Sequence, residues 1–129
     1  MKSLTFTVPL VPPSVNTYVR HARGRHYKTT EAKAFAQAVH IFAVKELGSE
    51  NWPLHGTNFR VSALVSCRNR KSADVDNYLK LILDSLVDAG VLPDDRYVSE
   101  VSIRKQIAAD QYPFTKISVV ALDGTIGTN

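Results

Sequence analysis

Cysteine is almost absent from this chain of 129 residues, because Cys67 is the only one. An internal disulfide is therefore excluded, and a reducing, cytoplasmic environment is expected. Long apolar runs are missing too, since none approaches the roughly eighteen residues that cross a bilayer. The four histidines are scattered without the spacing of zinc ligands. We therefore expect a cytoplasmic protein with no membrane partner and no zinc site.

Negative charge is distributed unevenly along the chain. Six of the eight aspartates lie between Asp74 and Asp95, although the formal net charge is +4. Basic residues cluster elsewhere, within 20–28 and 68–71. An acidic patch in a basic protein is typical of an enzyme that holds cations while it binds a polyanion. Scattered solvated charge explains the composition equally well.

Hydrophobic periodicity predicts one α+β domain over residues 1–122, followed by a frayed tail at 123–129. The pattern predicts strands at 3–9, 58–67, 97–107 and 114–122, and helices at about 30–47 and 74–89. Residues 17–28 fit either a short hairpin or an ordered loop. The approximate order βαβαββ favours a mixed sheet with both main helices packed on one face.

The second predicted helix has an apolar face that should anchor it. That face consists of Val75, Leu79, Ile82, Leu83 and Leu86, and Gly90 stands where a left-handed residue ends the helix. A helix anchored in this way holds its polar side chains in fixed positions, as a reactive site requires.

The polar residues of this helix suit metal-dependent chemistry. Asp74 and Asp76 stand where a strand gives way to the helix, and Asp76 and Lys80 are i,i+4 neighbours. Hard cations such as Mg²⁺ prefer carboxylate oxygens, and carboxylates beside a lysine suit phosphodiester hydrolysis. The Asp94–Asp95 turn follows the helix, and spacing alone leaves open whether it folds back towards the helix start.

Each acidic residue also has a structural explanation. Asp74 fits an N-cap, and Asp76 fits a first-turn acid favoured by the helix dipole. Asp84 fits a solvated helix face, and two aspartates after Pro93 are common in turns. The D-x-D-N spacing by itself is therefore a weak signal.

Two separated blocks of the sequence carry a more specific signal. The first is Pro12-Pro13-Ser14-Val15-Asn16, followed by Tyr18, Arg20-His21 and Arg23-Gly24-Arg25. The second is Asp74-Val75-Asp76-Asn77 with Lys80 and Asp84, then Ala89-Gly90-Val91 and Asp94-Asp95. In the order and separation of these blocks, the chain resembles the RusA family of Holliday-junction resolvases, which occur in bacteria and are often carried by prophages. The resemblance covers nearly the whole chain.

This resemblance implies an endonuclease, dependent on Mg²⁺ with Mn²⁺ as a substitute, that acts in DNA recombination and repair. It implies a homodimer that makes paired symmetric nicks across a four-way DNA junction. The implied catalytic residues are Asp74, Asp76, Asp95 and Lys80, with Asp94 as an accessory acid; the implied metal ligands are Asp74, Asp76, Asp94 and Asp95. Asn77 would support a carboxylate or the local backbone. The resemblance also implies that the Asp94–Asp95 turn lies beside the start of the second helix.

The basic residues are candidates for contact with DNA phosphates. The predicted contacts are Arg20, Arg23, Arg25, Lys28, Arg68, Arg70 and Lys71, and their alternative is an ordinary solvated surface. Related sequences often carry an unbroken arginine run before the first aspartate, whereas here Ser72-Ala73 intervene. Two rival functions are a branched-DNA-binding protein without catalysis and a metal-dependent phosphodiesterase that acts on other nucleic acids.

Overall fold

The computed structural model describes residues 2–13, 19–22, 25–28, 30–49, 51–52, 57–69 and 75–122. The strands are β1 (Lys2–Val8), β2 (Val19–Ala22), β3 (Arg25–Lys28), β4 (Phe59–Cys67), β5 (Val98–Ile107) and β6 (Phe114–Ala121). The helices are α1 (Thr30–Leu47) and α2 (Val75–Asp88), with a single 3₁₀ turn at Asp95–Tyr97. The predicted tail at 123–129 lies outside the described residues.

Four strands form the main sheet in the order β1-β6-β4-β5. β4 and β5 are parallel, and the other neighbours are antiparallel. Parallel neighbours need a crossover connection, and α2 provides it between β4 and β5. The predicted α+β architecture with a mixed sheet is therefore confirmed.

One face of this sheet packs against the helices. Along β4, alternate residues are buried, as the predicted half-buried strand requires, among them Phe59, Val61 and Val65. They share one core with α1 residues such as Phe35 and Val39. The buried residues of α2, such as Ile82, belong to the same core, so both helices lie on the same face of the sheet.

The predicted buried face of α2 is partly wrong. Val75 is 38% exposed, whereas Tyr78 and Leu81 are fully buried beside Ile82. The Tyr78 hydroxyl lies 3.7 Å from Cys67 Sγ within the core. The difference arises because α2 contacts α1 as well as β5, so a wider part of its surface is buried.

The segment at 17–28, for which two structures were open, contains a hairpin in which β2 pairs with β3. Gly48 and Gly90 end the two helices with φ of 57° and 78°, in the left-handed region expected after a helix. Across the described ranges, no helix has the length and apolar character to cross a membrane.

Candidate nuclease site

The polar face of α2 carries an ion pair. Lys80 Nζ lies 3.6 Å from Asp84 Oδ2, one helical turn further along. The side chain of Lys80 is 63% exposed and that of Asp84 29% exposed. The lysine end of this pair is therefore open to solvent, whereas the aspartate end is partly covered.

The segment after α2 is held in place by contacts with the core. The left-handed conformation of Gly90 turns the chain, and the Val91 and Leu92 side chains enter the core. The Trp52 indole N–H donates to the Val91 carbonyl oxygen over 2.7 Å, while the Trp52 ring stacks on Phe59 at 6.2 Å between centroids. The chain just before Asp94 is therefore held by packing and by a hydrogen bond.

Asp94 caps the 3₁₀ turn that begins at Asp95. Its carboxylate accepts a hydrogen bond from the Arg96 backbone N–H at 3.3 Å. The Arg96 guanidinium Nε lies 3.8 Å from the same carboxylate. This cap fixes the backbone conformation at the two adjacent aspartates.

The two carboxyl groups of this turn are close enough for a hydrogen bond between them to separate their pKa values. That bond lowers the pKa of Asp94, and the Arg96 N–H lowers it further. The same bond raises the pKa of Asp95, and the negative charges of Asp94 and Asp84 add to the effect, whereas Lys80 opposes it. The two neighbouring carboxyl groups therefore differ in pKa, with Asp94 the stronger acid.

Residue contacts between α2 and the 3₁₀ turn give the position of the turn. The turn lies beside the polar face of α2, where Asp95 is within electrostatic reach of both residues. Spacing alone had left this position open. We call Lys80, Asp84, Asp94 and Asp95 the α2–turn cluster.

For the predicted acids at the start of α2, the structure describes no side chain. Asp74 lies outside the described residues, and Asp76 and Asn77 are described by their backbone alone, in the first turn of α2. At 1.5 Å per residue, Asp76 stands about 6 Å before Lys80 along the helix axis. Within the part of the chain that the structure describes, no group of three or more histidine, cysteine or acidic side chains is placed to hold a metal ion.

Comparison with known proteins identifies the family. The family model described as Endodeoxyribonuclease RusA matches residues 9–120. Crossover junction endodeoxyribonuclease RusA of Escherichia coli strain K12 is 31% identical over 107 residues, which cover 81% of this chain and 84% of the relative. The enzyme of the same name from Enterobacteria phage HK97 is 26% identical over 103 residues, or 80% and 82% of the two chains.

The chain belongs to the RusA family of endodeoxyribonucleases. It is therefore a nuclease, and the resemblance seen in its sequence blocks is confirmed. Family membership does not by itself assign a role to any single side chain, so the RusA catalytic and metal-binding residues named above remain predictions.

The basic residues predicted to contact DNA fall into three groups within this RusA chain. Arg20, Arg25 and Lys28 lie on the β2–β3 hairpin, and only their backbone is described. The predicted contacts Arg23, Arg70 and Lys71 lie outside the described residues. Arg68 is exposed, and its contacts are visible.

Arg68 holds the loop between β5 and β6. Its Nε donates to the Gln111 carbonyl oxygen over 3.1 Å, and its guanidinium carbon lies 5.2 Å from the centre of the Tyr112 ring. Tyr112 is 84% exposed. Arg68 therefore orients an exposed aromatic ring, and its contact with phosphate stays a prediction.

The sequence analysis gave no site role to two residues of this region. Asp84 was part of the second sequence block but was otherwise explained as a solvated helix residue; in the structure it pairs with Lys80 and acts on Asp95. Its i,i+4 spacing from Lys80 was the available signal. Trp52 carried no sequence signal, because its bond to Val91 joins positions 39 residues apart.

Proposed function

We propose that this protein is a Mg²⁺-dependent endonuclease that resolves four-way DNA junctions by paired symmetric hydrolysis of phosphodiester bonds. The observation that carries the proposal is the α2–turn cluster, in which Lys80 pairs with Asp84 and its charge acts on Asp95, in a member of a nuclease family. The names of the relatives, crossover junction endodeoxyribonucleases, support the choice of substrate.

The donor set fits a hard cation in its chemistry. Asp94 and Asp95 supply adjacent exposed carboxylates, and Asp74 and Asp76 would complete the set from the start of α2. When bound there, Mg²⁺ would supply a Lewis acid that polarises the phosphate and lowers the pKa of a bound water. Mn²⁺, which also accepts oxygen ligands, is expected to substitute.

The side chains of the cluster would have separate roles. Lys80 would place a positive charge near the phosphate or the leaving oxygen, where negative charge develops. Asp84 would restrain the Lys80 ammonium group through their ion pair. Asn77, one residue after Asp76, would support a carboxylate or the helix start.

We further propose a homodimer that acts in the cytoplasm in recombination and repair. A four-way junction with two-fold symmetry needs two matched cuts, and a C₂ dimer provides two matched sites. The single cysteine, Cys67, is buried and free, which is compatible with a reducing compartment.

The deciding experiment is cleavage of a labelled synthetic four-way junction with Mg²⁺ and excess linear duplex as competitor. Wild type should give paired nicks, whereas Asp76→Asn should bind the junction without cutting it. Glu46→Gln, which removes an exposed carboxylate from α1, is the matched control and should cut like wild type.

Other outcomes would replace this proposal. Junction binding without nicks in either Mg²⁺ or Mn²⁺ would favour a branched-DNA-binding protein. Cleavage suppressed by duplex, or directed to RNA or single strands, would favour a phosphodiesterase of other specificity.

A further inference from the structure

The face of the main sheet that is turned away from the helices has no covering element among the described residues. On each strand, residues alternate between the two faces, so that Ser62 and Leu64 of β4 lie opposite the buried Val61, Ala63 and Val65. An uncovered sheet face in a nuclease is a candidate surface for its substrate.

A row of hydroxyl groups crosses this face. Thr5 pairs with Ser118, Ser118 with Ser62, and Ser62 with Ser102, so the four residues stand in register on four neighbouring strands. The Thr5 and Ser118 hydroxyls hydrogen bond at 3.0 Å. With strands about 4.8 Å apart, the row is roughly 14 Å long.

Two cations stand in the next row of the same face. Lys116 on β6 and Arg104 on β5 are the register partners of Leu64 on its two neighbouring strands. Both are exposed. Two strand spacings separate their backbones by about 10 Å. Together with Ser62, Ser102 and Ser118, they line a shallow cleft of about 290 Å³.

The charge of this face is positive. Glu100 is the only carboxylate on the four strands of the main sheet, and Arg60 pairs with it across the strands. The charges of Lys116 and Arg104 are therefore not balanced by any acid on these strands. Two copies of this face would repel each other, whereas a polyanion would be attracted.

We propose that this open face, defined by Thr5, Ser62, Ser102, Arg104, Lys116 and Ser118, binds the sugar–phosphate backbone of a duplex DNA arm. Hydroxyl groups would donate to phosphate oxygens, and the two cations would neutralise phosphates without reading bases. The proposal rests on the proposed function in taking DNA as the substrate.

The location of this face determines which part of the DNA it binds. The α2–turn cluster is on the helix side of the sheet, and the open face is on the other side. A DNA segment on the open face is therefore separate from the strand at the α2–turn cluster. A branched substrate has further arms that can reach a second side of the protein.

The test compares two double variants in direct binding assays without divalent metal. Arg104→Ala/Lys116→Ala removes two charges from the open face, and Lys33→Ala/Lys45→Ala removes two exposed charges from α1. Fluorescence anisotropy measures affinity for a four-way junction and for linear duplex across a salt series. Loss of two phosphate contacts should flatten the log–log salt slope by about 1.8 and weaken binding at least tenfold near 0.1 M salt. The α1 variant should bind like wild type.

A variant that is expected to strengthen DNA binding distinguishes the loss of contacts from misfolding. Glu100→Gln removes the carboxylate that pairs with Arg60 and should tighten DNA binding, which a damaged fold would not do. Equal salt slopes for the two double variants would overturn the proposal. A change in oligomeric state without a change in salt slope would also overturn it, because the face would then contact a second copy.

These measurements are independent of the nuclease test. A protein that fails to cut junctions but loses salt dependence on Arg104→Ala/Lys116→Ala would contradict the proposed function alone. A protein that cuts junctions while this variant keeps the wild-type slope would contradict only the role of the open face.

Discussion

The Trp52 indole N–H donates to the Val91 carbonyl oxygen over 2.7 Å, and this bond ties the loop before β4 to the segment that leads to Asp94. The same ring stacks on Phe59 in the core. The position of the acidic turn thus depends on a residue far away in the sequence.

We predict that Trp52→Phe destabilises the protein by about 1 kcal/mol, because it leaves the part-buried Val91 carbonyl without its donor. Most of the stacking on Phe59 should remain. The loss should appear as a lower melting temperature and as faster hydrogen exchange in residues 91–97. Tyr97→Phe, which removes an exposed hydroxyl that accepts only a long 3.4 Å bond, is the control. Equal behaviour of both variants would exclude the Trp52 tether.

The titration of Asp95 provides a second prediction, because neighbouring charges act on it in opposite directions. Asp84→Asn removes a negative charge and should lower the pKa of Asp95, whereas Lys80→Met removes a positive charge and should raise it. Carboxyl NMR titration of the metal-free protein measures both. Shifts of the same sign would contradict the position of the turn beside α2.

The raised pKa of Asp95 also fixes the sign of a pH effect. A raised pKa means that the folded protein holds the proton more tightly than the unfolded chain does. Its stabilising contribution is therefore present at low pH and is lost as pH rises through the folded pKa, above 3.8. Asp95→Asn should remove this component of the pH dependence of unfolding, measured by denaturant titration in metal-free buffer.

Ser85 of α2 is expected to be suboptimal for stability. Its hydroxyl is fully buried and, among the described residues, has no hydrogen-bond partner. Ser85→Ala should therefore raise the free energy of unfolding by roughly 1 kcal/mol. The matched control is Ser66→Ala, since the buried Ser66 accepts a bond from Gln106 Nε2 at 3.0 Å. That variant should destabilise the protein, and a loss of stability in Ser85→Ala would show that its hydroxyl is bonded.

Two substitutions of Arg68 separate the effect of its charge on DNA binding from the effect of its planar guanidinium group. Arg68→Lys keeps the charge but loses the fixed guanidinium plane over Tyr112, whereas Arg68→Met loses both. If Arg68 contacts phosphate, the salt slope of DNA binding should fall by about 1 in Arg68→Met and stay unchanged in Arg68→Lys. An unchanged slope in Arg68→Met would limit Arg68 to holding the loop.

The sequence by itself determined the elements and the family. The alternation along β4 and the three- and four-residue spacing of apolar residues in α1 predicted their positions, because burial on one face imposes these periods locally. Gly48 and Gly90 marked the helix ends for an equally local reason. Asp94 and Asp95 were recognised as candidates through two blocks of residues, without knowledge of their neighbours.

Tertiary structure alone decided what those residues contact. In α2, Tyr78 is buried and Val75 is exposed because the helix packs against α1 and β5 at the same time. A single helical period in the sequence does not encode this double packing. The electrostatic reach of Asp84 to Asp95 depends on how the chain folds back after Gly90. The open face exists because both helices pack on one side of the sheet, and strand register alone aligns residues as distant as Thr5 and Ser118.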